Sequence, residues 1–227
     1  MLTKKEYGKL QYKMDWKQLE AEELISVCAS VYATKAGYNE KADVFINGIG
    51  ISVKSERGAN PSIINHTTRD KILRVMESIH APIAPLDSMV AHYWTLRLSR
   101  AIGEDTCIGD NNCPFSSPDE AASMIALKPL INYFAFDGTG TKDSIAPAEY
   151  ILSLADPTDI KTWTYYDKTT FIVSVWKRLV FSIRSKSTPI ELDEKNPAHI
   201  LMKPWVRVSE GTLKGALSVR VAPVKKK

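Results

Sequence analysis

Asn47-Gly48 lies between two short β-branched runs, Ala42–Ile46 and Ile49–Ser55. Asn-Gly is the strongest two-residue hairpin signal, because a type I′ turn needs positive φ at both central positions. The chain therefore folds back on itself here as an antiparallel pair. With the turn at 47–48, Asp43 falls approximately opposite Ser52, and Lys54 lies near the same end of the hairpin. Strand alternation puts Ser52 and Lys54 on one face and turns Ile51 and Val53 to the other.

Around this hairpin the pattern changes in both directions. Trp16, Leu19, Leu24, Cys28, Val31 and Tyr32 fit one buried stripe of a helix over Asp15–Lys35, ended by Gly37 and Asn39. After the hairpin the residues GANPSIINHTTR read as a polar loop, followed by a helix from Thr68 to His80 and another from Ser88 to Ala101. Gly103 to Ser117 is a long polar loop, and Ser117-Pro118 with Glu120 forms a capping box that opens a helix to Leu127. Ile131–Phe136, Thr162–Tyr166 and Thr170–Ile183 read as strands, and Val206–Val221 as a hairpin around Glu210-Gly211 with one buried face. The expected fold is α/β or α+β: a central mixed sheet flanked by helices, with a β-rich C-terminal part.

The chain of 227 residues suits one domain with a full core, its catalytic core over about 15–80. A composition 44% hydrophobic and 25% charged is that of a folded globular protein. No apolar run reaches the roughly 18 residues of a membrane span, and the N-terminus lacks the apolar centre of a signal peptide. A cytoplasmic location with no membrane partner is the expectation. The net charge of +4 permits a nucleic-acid partner without requiring one. Lys4, Lys5, Lys9, Lys13 and Lys17 at the start, and Lys225 to Lys227 at the end, are either solvated ends or phosphate-holding surface. Three cysteines make no disulfide framework. Cys107 and Cys113 are at most half of a zinc site, and their spacing lacks the usual two-residue gap.

The chemistry-bearing residues gather at the hairpin. Hydrolysing a phosphodiester needs a divalent cation to polarise the phosphoryl oxygen and to lower the pKa of the attacking water. Magnesium takes oxygen ligands, commonly one or two carboxylates plus the substrate phosphate. Asp43 supplies a hard carboxylate oxygen; Lys54 can orient the water or offset charge on the phosphate.

From about Glu20 to Asp70 the pattern of helix, Asp-bearing strand, X-X-Lys strand and helix resembles the PD-(D/E)XK nuclease superfamily, in particular type II restriction endonucleases. That resemblance implies metal binding by Asp43 and by the Val53 carbonyl, with Lys54 assisting the water. Two positions depart from the motif: Ala42 stands where proline precedes the aspartate, and Ser52 occupies the (D/E) position. Some members with Ser-X-Lys take the missing carboxylate from a helix. The candidates here are Glu23 or Glu20 before the hairpin and Asp70 or Glu77 after it, with Glu23 favoured.

Arg57, Asn60, Asn65, His66, Thr67 and Arg69 make the following segment dense in groups that bind phosphates and base edges. An ordinary polar loop with a helix cap at Thr67 or Thr68 accounts for the same residues, and His66 is an alternative general base. Asp137-Gly-Thr-Gly-Thr-Lys142 lacks Walker spacing and reads as a turn. Asp156-Pro-Thr-Asp159-Ile-Lys161 contains Asp-X-Lys but reads as a turn too. The resemblance implies a Mg2+-dependent enzyme, a homodimer cutting double-stranded DNA at a short specific site. The rivals are a junction resolvase or repair nuclease of the same superfamily, and a non-catalytic nucleic-acid-binding protein.

Overall fold

The computed structural model describes residues 33–37, 40–56, 61–116, 120–139, 146–157, 159–184, 202–206 and 215–223, with 120–122 and 184 by backbone alone. The chain divides into two compact units, Met1–Ala59 with Ala135–Phe171, and Asn60–Phe134 with Ile172–Lys227. The stretch 15–80, expected as the catalytic core, crosses from one unit into the other.

The first unit is built on a five-stranded mixed sheet in the order β1-β2-β3-β6-β7. Its strands are β1 (Ala33–Lys35), β2 (Val44–Ile46), β3 (Ile49–Ser55), β6 (Tyr150–Leu154) and β7 (Trp163–Tyr166). The first three form an antiparallel meander, β6 runs parallel to β3, and β7 returns antiparallel to β6. The β2–β3 turn is the expected one: Ile46 pairs with Ile49, and Asn47 and Gly48 have φ of 53° and 77°. Ile46, Ile51, Leu152 and Leu154 bury one face of the sheet, with Val44, Ile49, Val53, Trp163 and Tyr165 packed around them. Alternation therefore puts Ser52, Lys54, Ser153 and Tyr166 on the other face.

The second unit holds a four-stranded antiparallel sheet in the order β4-β9-β8-β5, formed by β4 (Ser62–Thr67), β5 (Thr106–Cys107), β8 (Leu179–Arg184) and β9 (Ala216–Val221). Helices α1 (Arg69–Ser78) and α2 (Ala84–Leu98) belong to this unit. Ile64, Ile72, Met76, Leu86, Tyr93, Trp94, Phe115, Phe181 and Leu217 are among its fully buried side chains. Phe115 stacks on Phe181 with ring centroids 4.4 Å apart.

Several sequence expectations are corrected. The segment read as a polar loop contains β4, because Ile64 needs burial and finds it beside β9, where Ile64 faces Val219. Ile131–Phe136 is no strand. Helix α3 (Glu120–Asn132) runs on into a π-helical turn, Tyr133–Asp137. A short apolar run buried on most sides has the same signature in either state, and here the helix wins. Thr170–Ile183 is split: α4 (Lys168–Val175) comes first, then β8. Asp167 caps α4, its Oδ1 accepting from the N–H groups of Thr169 and Thr170. Residues 33–35 are strand, so a helix over Asp15–Lys35 does not reach its expected end; its earlier residues lie outside the described ones. The second strand of the expected C-terminal hairpin is present as β9, but it lies between β4 and β8 and is buried along most of its length and not on one face alone. Residues 207–214 lie outside the described ones. Strand β6 had no counterpart in the sequence reading.

Candidate active site

The site begins with a kink in β2. Val44 faces Ile51 in the ladder, and the N–H of Asp43 reaches the same Ile51 carbonyl at 2.8 Å. The segment before Asp43 is tied down separately: Lys41 and Ala42 both donate their N–H to the Ala146 carbonyl, at 3.1 and 3.4 Å. The same segment, 146–149, bonds Gly50 and Phe136, through Glu149 N–H to Gly50 O and Ala148 N–H to Phe136 O. Glycine is required at position 50. A Cβ there would lie 2.5 Å from the Pro147 carbonyl oxygen, which presses onto the strand.

Leaving regular pairing at this point, Asp43 turns its carboxylate back onto β3. Its Oδ2 accepts the Ser52 hydroxyl at 3.0 Å and the Val53 N–H at 2.6 Å. Lys54 Nζ stands 3.9 Å from the same oxygen. The aspartate, serine, valine backbone and lysine expected to work together are thus brought together. Ser52 is fully buried, while the side chains of Asp43 and Lys54 are 53% and 32% exposed. The acid and the amine therefore border solvent, and the serine that orients the acid does not. In an extended strand a residue's N–H and C=O leave from one edge. The Val53 carbonyl thus points to the edge where Asp43 stands.

Four further charged residues of the same unit, Lys41, Asp137, Lys168 and Glu56, were not among the residues the sequence assigned to the site. Lys41 is half-buried, and burial and then the Lys54 ammonium push its pKa from 10.5 to about 8, against the pull of Asp43 and Asp137. Asp137 ends the π-helical turn and pairs with Lys168 at 2.5 Å. The turn is brought to this face of the sheet by aromatic packing: Phe136 meets Phe171 at 5.6 Å, and Phe171 meets Tyr166 at 6.1 Å. At the far end of β3, Ser153 donates its hydroxyl to Glu56 at 2.7 Å. Position Lys41, two residues before Asp43 in a strand-like run, was the only available signal, and it is a weak one.

The remaining candidates fall elsewhere. Glu20, Glu23, Arg57 and Asn60 lie outside the described residues. Asp70 and Glu77 lie on α1, in the second unit. Asn65 and His66 are exposed on β4, and His66 has a φ of 45° where the β4–β9 register shifts. His66 Nδ1 lies 3.5 Å from the Ser218 hydroxyl. Thr67 is buried, its hydroxyl donating to the Asn65 carbonyl. Arg69 makes a two-pronged pair with Asp87, Nε at 2.8 Å and a terminal nitrogen at 2.6 Å, and Trp205 Nε1 donates to the same carboxylate.

Cys107 and Cys113 are free thiols. Cys107 Sγ donates to the Lys177 carbonyl, and burial pushes the Cys113 thiol up. Among the described residues no group of three or more His, Cys, Asp or Glu could hold a metal ion. Among the same residues no helix is long and apolar enough to cross a membrane. Compared with known proteins, the chain matches no protein-family model, no curated protein and no solved structure.

Proposed function

We propose that the protein is a Mg2+-dependent endonuclease that cuts double-stranded DNA at a specific sequence, a type II restriction enzyme of the PD-(D/E)XK class. One observation carries this reading: Asp43 Oδ2 is held by Ser52 and Val53 N–H, with the Lys54 ammonium 3.9 Å away at the solvent edge. An oriented carboxylate beside an accessible amine is the arrangement that metal-assisted phosphodiester hydrolysis uses.

The donor set fits a hard cation at its minimum. Among the described residues both hydrogen bonds to the carboxylate fall on Oδ2, which leaves Oδ1 for a cation, and the Val53 carbonyl points to the same edge. A bound Mg2+ supplies polarisation of the phosphoryl oxygen and a more acidic water. The protein's own groups do the rest. Ser52 and the Val53 N–H fix the direction of the carboxylate. The Lys54 ammonium donates to the attacking water or to the phosphate oxygen that gains charge. A further carboxylate, from Glu23 by the family resemblance, would complete the set. The exposed Asn65 and His66 are candidates for base and phosphate contact, and a homodimer in the cytoplasm suits a palindromic DNA site.

Plasmid DNA incubated with the protein and Mg2+ tests the reading, beside Asp43→Ala and Lys54→Ala. Discrete fragments that vanish in both variants support it. Cutting confined to branched DNA moves the protein to the resolvases. Binding without cutting by the wild-type protein overturns the enzyme.

A further inference from the structure

A cleft of about 450 Å³ lies within the second unit, between one stripe of α2 and the loop that follows β5. Small-molecule sites occupy about 300–1,000 Å³. On one side of α2, Leu86, Val90, Tyr93 and Trp94 are buried in the core. Pro85, Met89, His92 and Leu96 follow one another at helical spacing on the side that lines the cleft. Asn111, Asn112 and Pro114 of the loop line it too. The fold's own bonds hold that loop in place. Asp110 Oδ2 accepts the Cys107 N–H at 2.9 Å, and the Cys113 and Ser116 N–H groups close successive turns at 3.2 and 3.0 Å. Gly109 packs so near the Lys177 carbonyl oxygen that a Cβ would stand 2.8 Å from it. A loop pinned in this way presents its side chains at little ordering cost. Yet among the described residues the exposed side chains of Asn111, Asn112 and His92 make no hydrogen bond, whereas the Ser88 hydroxyl in the same lining is satisfied by the Ala84 carbonyl at 3.1 Å.

We propose that this cleft binds an adenine base. Among the described residues its lining holds no Asp, Glu, Lys or Arg, so it offers no ion partner to a phosphate, a carboxylate or a metal and suits an uncharged group. Met89, Leu96 and Pro114 give apolar surface for the face of a flat ring, the Met89 thioether included. The His92 imidazole adds a ring on which a base can stack. Each of the two neighbouring carboxamides carries a donor and an acceptor together, the pair that asparagine uses on the N6 and N7 edge of adenine. Base binding here does not depend on the roles of Asp43 and Lys54, which belong to the first unit.

The same base can come from a free nucleoside or from an unpaired position in DNA, and one readout covers both. The full chain carrying isotope-labelled histidine, in chelator so that nothing is cut, is titrated and followed by NMR at the His92 ring, assigned with His92→Gln. Adenosine should move that signal saturably if the source is the free nucleoside. A duplex with one unpaired adenine should move it, and the fully paired duplex should not, if the source is DNA. Asn111→Ala and Asn112→Ala, both at exposed positions, should each weaken binding about fivefold, the loss of one hydrogen bond. AMP should bind no more tightly than adenosine, because no lysine or arginine of the described lining meets its phosphate. The proposal is overturned if neither adenosine, up to its solubility, nor the unpaired adenine moves the His92 signal. Unchanged affinity in both folded asparagine variants overturns it as well. So does much tighter binding of AMP, which would make the phosphate the anchor.

Discussion

The Val53 N–H meets Asp43 Oδ2 at 2.6 Å, so a side-chain oxygen takes the place of a ladder carbonyl where β2 kinks away from β3. The same bond that finishes the hairpin also aims the carboxylate. Asp43→Asn separates the two tasks, because an amide oxygen accepts these hydrogen bonds but binds a cation poorly. Stability by urea denaturation should change by no more than about 1–2 kcal/mol. Plasmid cleavage should fall to background. A variant that cuts like the wild type would remove Asp43 from the chemistry.

Gly50→Ala is expected to be costly although the added group is a single methyl. Its Cβ would stand 2.5 Å from the Pro147 carbonyl oxygen and 3.2 Å from Ala42 Cβ, so backbone must shift. Overpacking of this kind costs about 1–3 kcal/mol. Because Pro147 lies in the segment that anchors Lys41 and Ala42, cleavage should drop along with the denaturation midpoint.

Lys41 should leave a signature in the pH dependence of stability. Its pKa is about 8 in the folded chain against an ordinary 10.5, chiefly through burial and then Lys54. The unfolded chain therefore holds a proton that the folded chain has released between those two values. Stability must rise with pH across that window relative to a Lys41→Gln variant. Below about pH 8 both states are protonated, and the fold carries the full cost of the buried charge. Urea midpoints of the two proteins in chelator, from pH 7 to 11, check this; parallel curves would contradict it.

Arg69 is expected to act in the fold and not in reading DNA. Both prongs of its guanidinium are taken by Asp87, which also accepts from Trp205. Arg69→Ala should cost about 1–3 kcal/mol, with the side chains 20% and 30% exposed keeping it toward the lower end. Arg69→Lys should recover little, because lysine lacks the planar fork. Duplex affinity of the folded variant should stay within twofold of wild type.

Phe181→Ala should be the most damaging of these changes. Phe181 is fully buried and stacks on Phe115 at 4.4 Å in the middle of β8. Truncating such an aromatic costs about 3–5 kcal/mol, measurable as a shift of the whole denaturation curve.

The centre of the candidate site was legible in the sequence because it is local. Asn47-Gly48 dictates a type I′ turn, and the turn dictates which residues of the next few positions meet. Asp43, Ser52, Val53 and Lys54 converge for that reason, and the Arg69–Ser78 helix was legible from its own apolar spacing. The apolar runs 131–136 and 170–175 were misread as strands, since burial on most sides erases the period that separates helix from strand.

By itself, then, the sequence determined the hairpin and the acid–amine pair at its end, through backbone preferences that act over a few residues. Only the tertiary structure decided that β6 runs parallel beside β3, that Ile64 draws a polar segment into β4, and that Lys41 and Ala42 are tied to the Ala146 carbonyl. Those pairings join residues from about 100 to about 155 positions apart. They are set by which apolar faces can be buried together, and no window along the chain contains both partners.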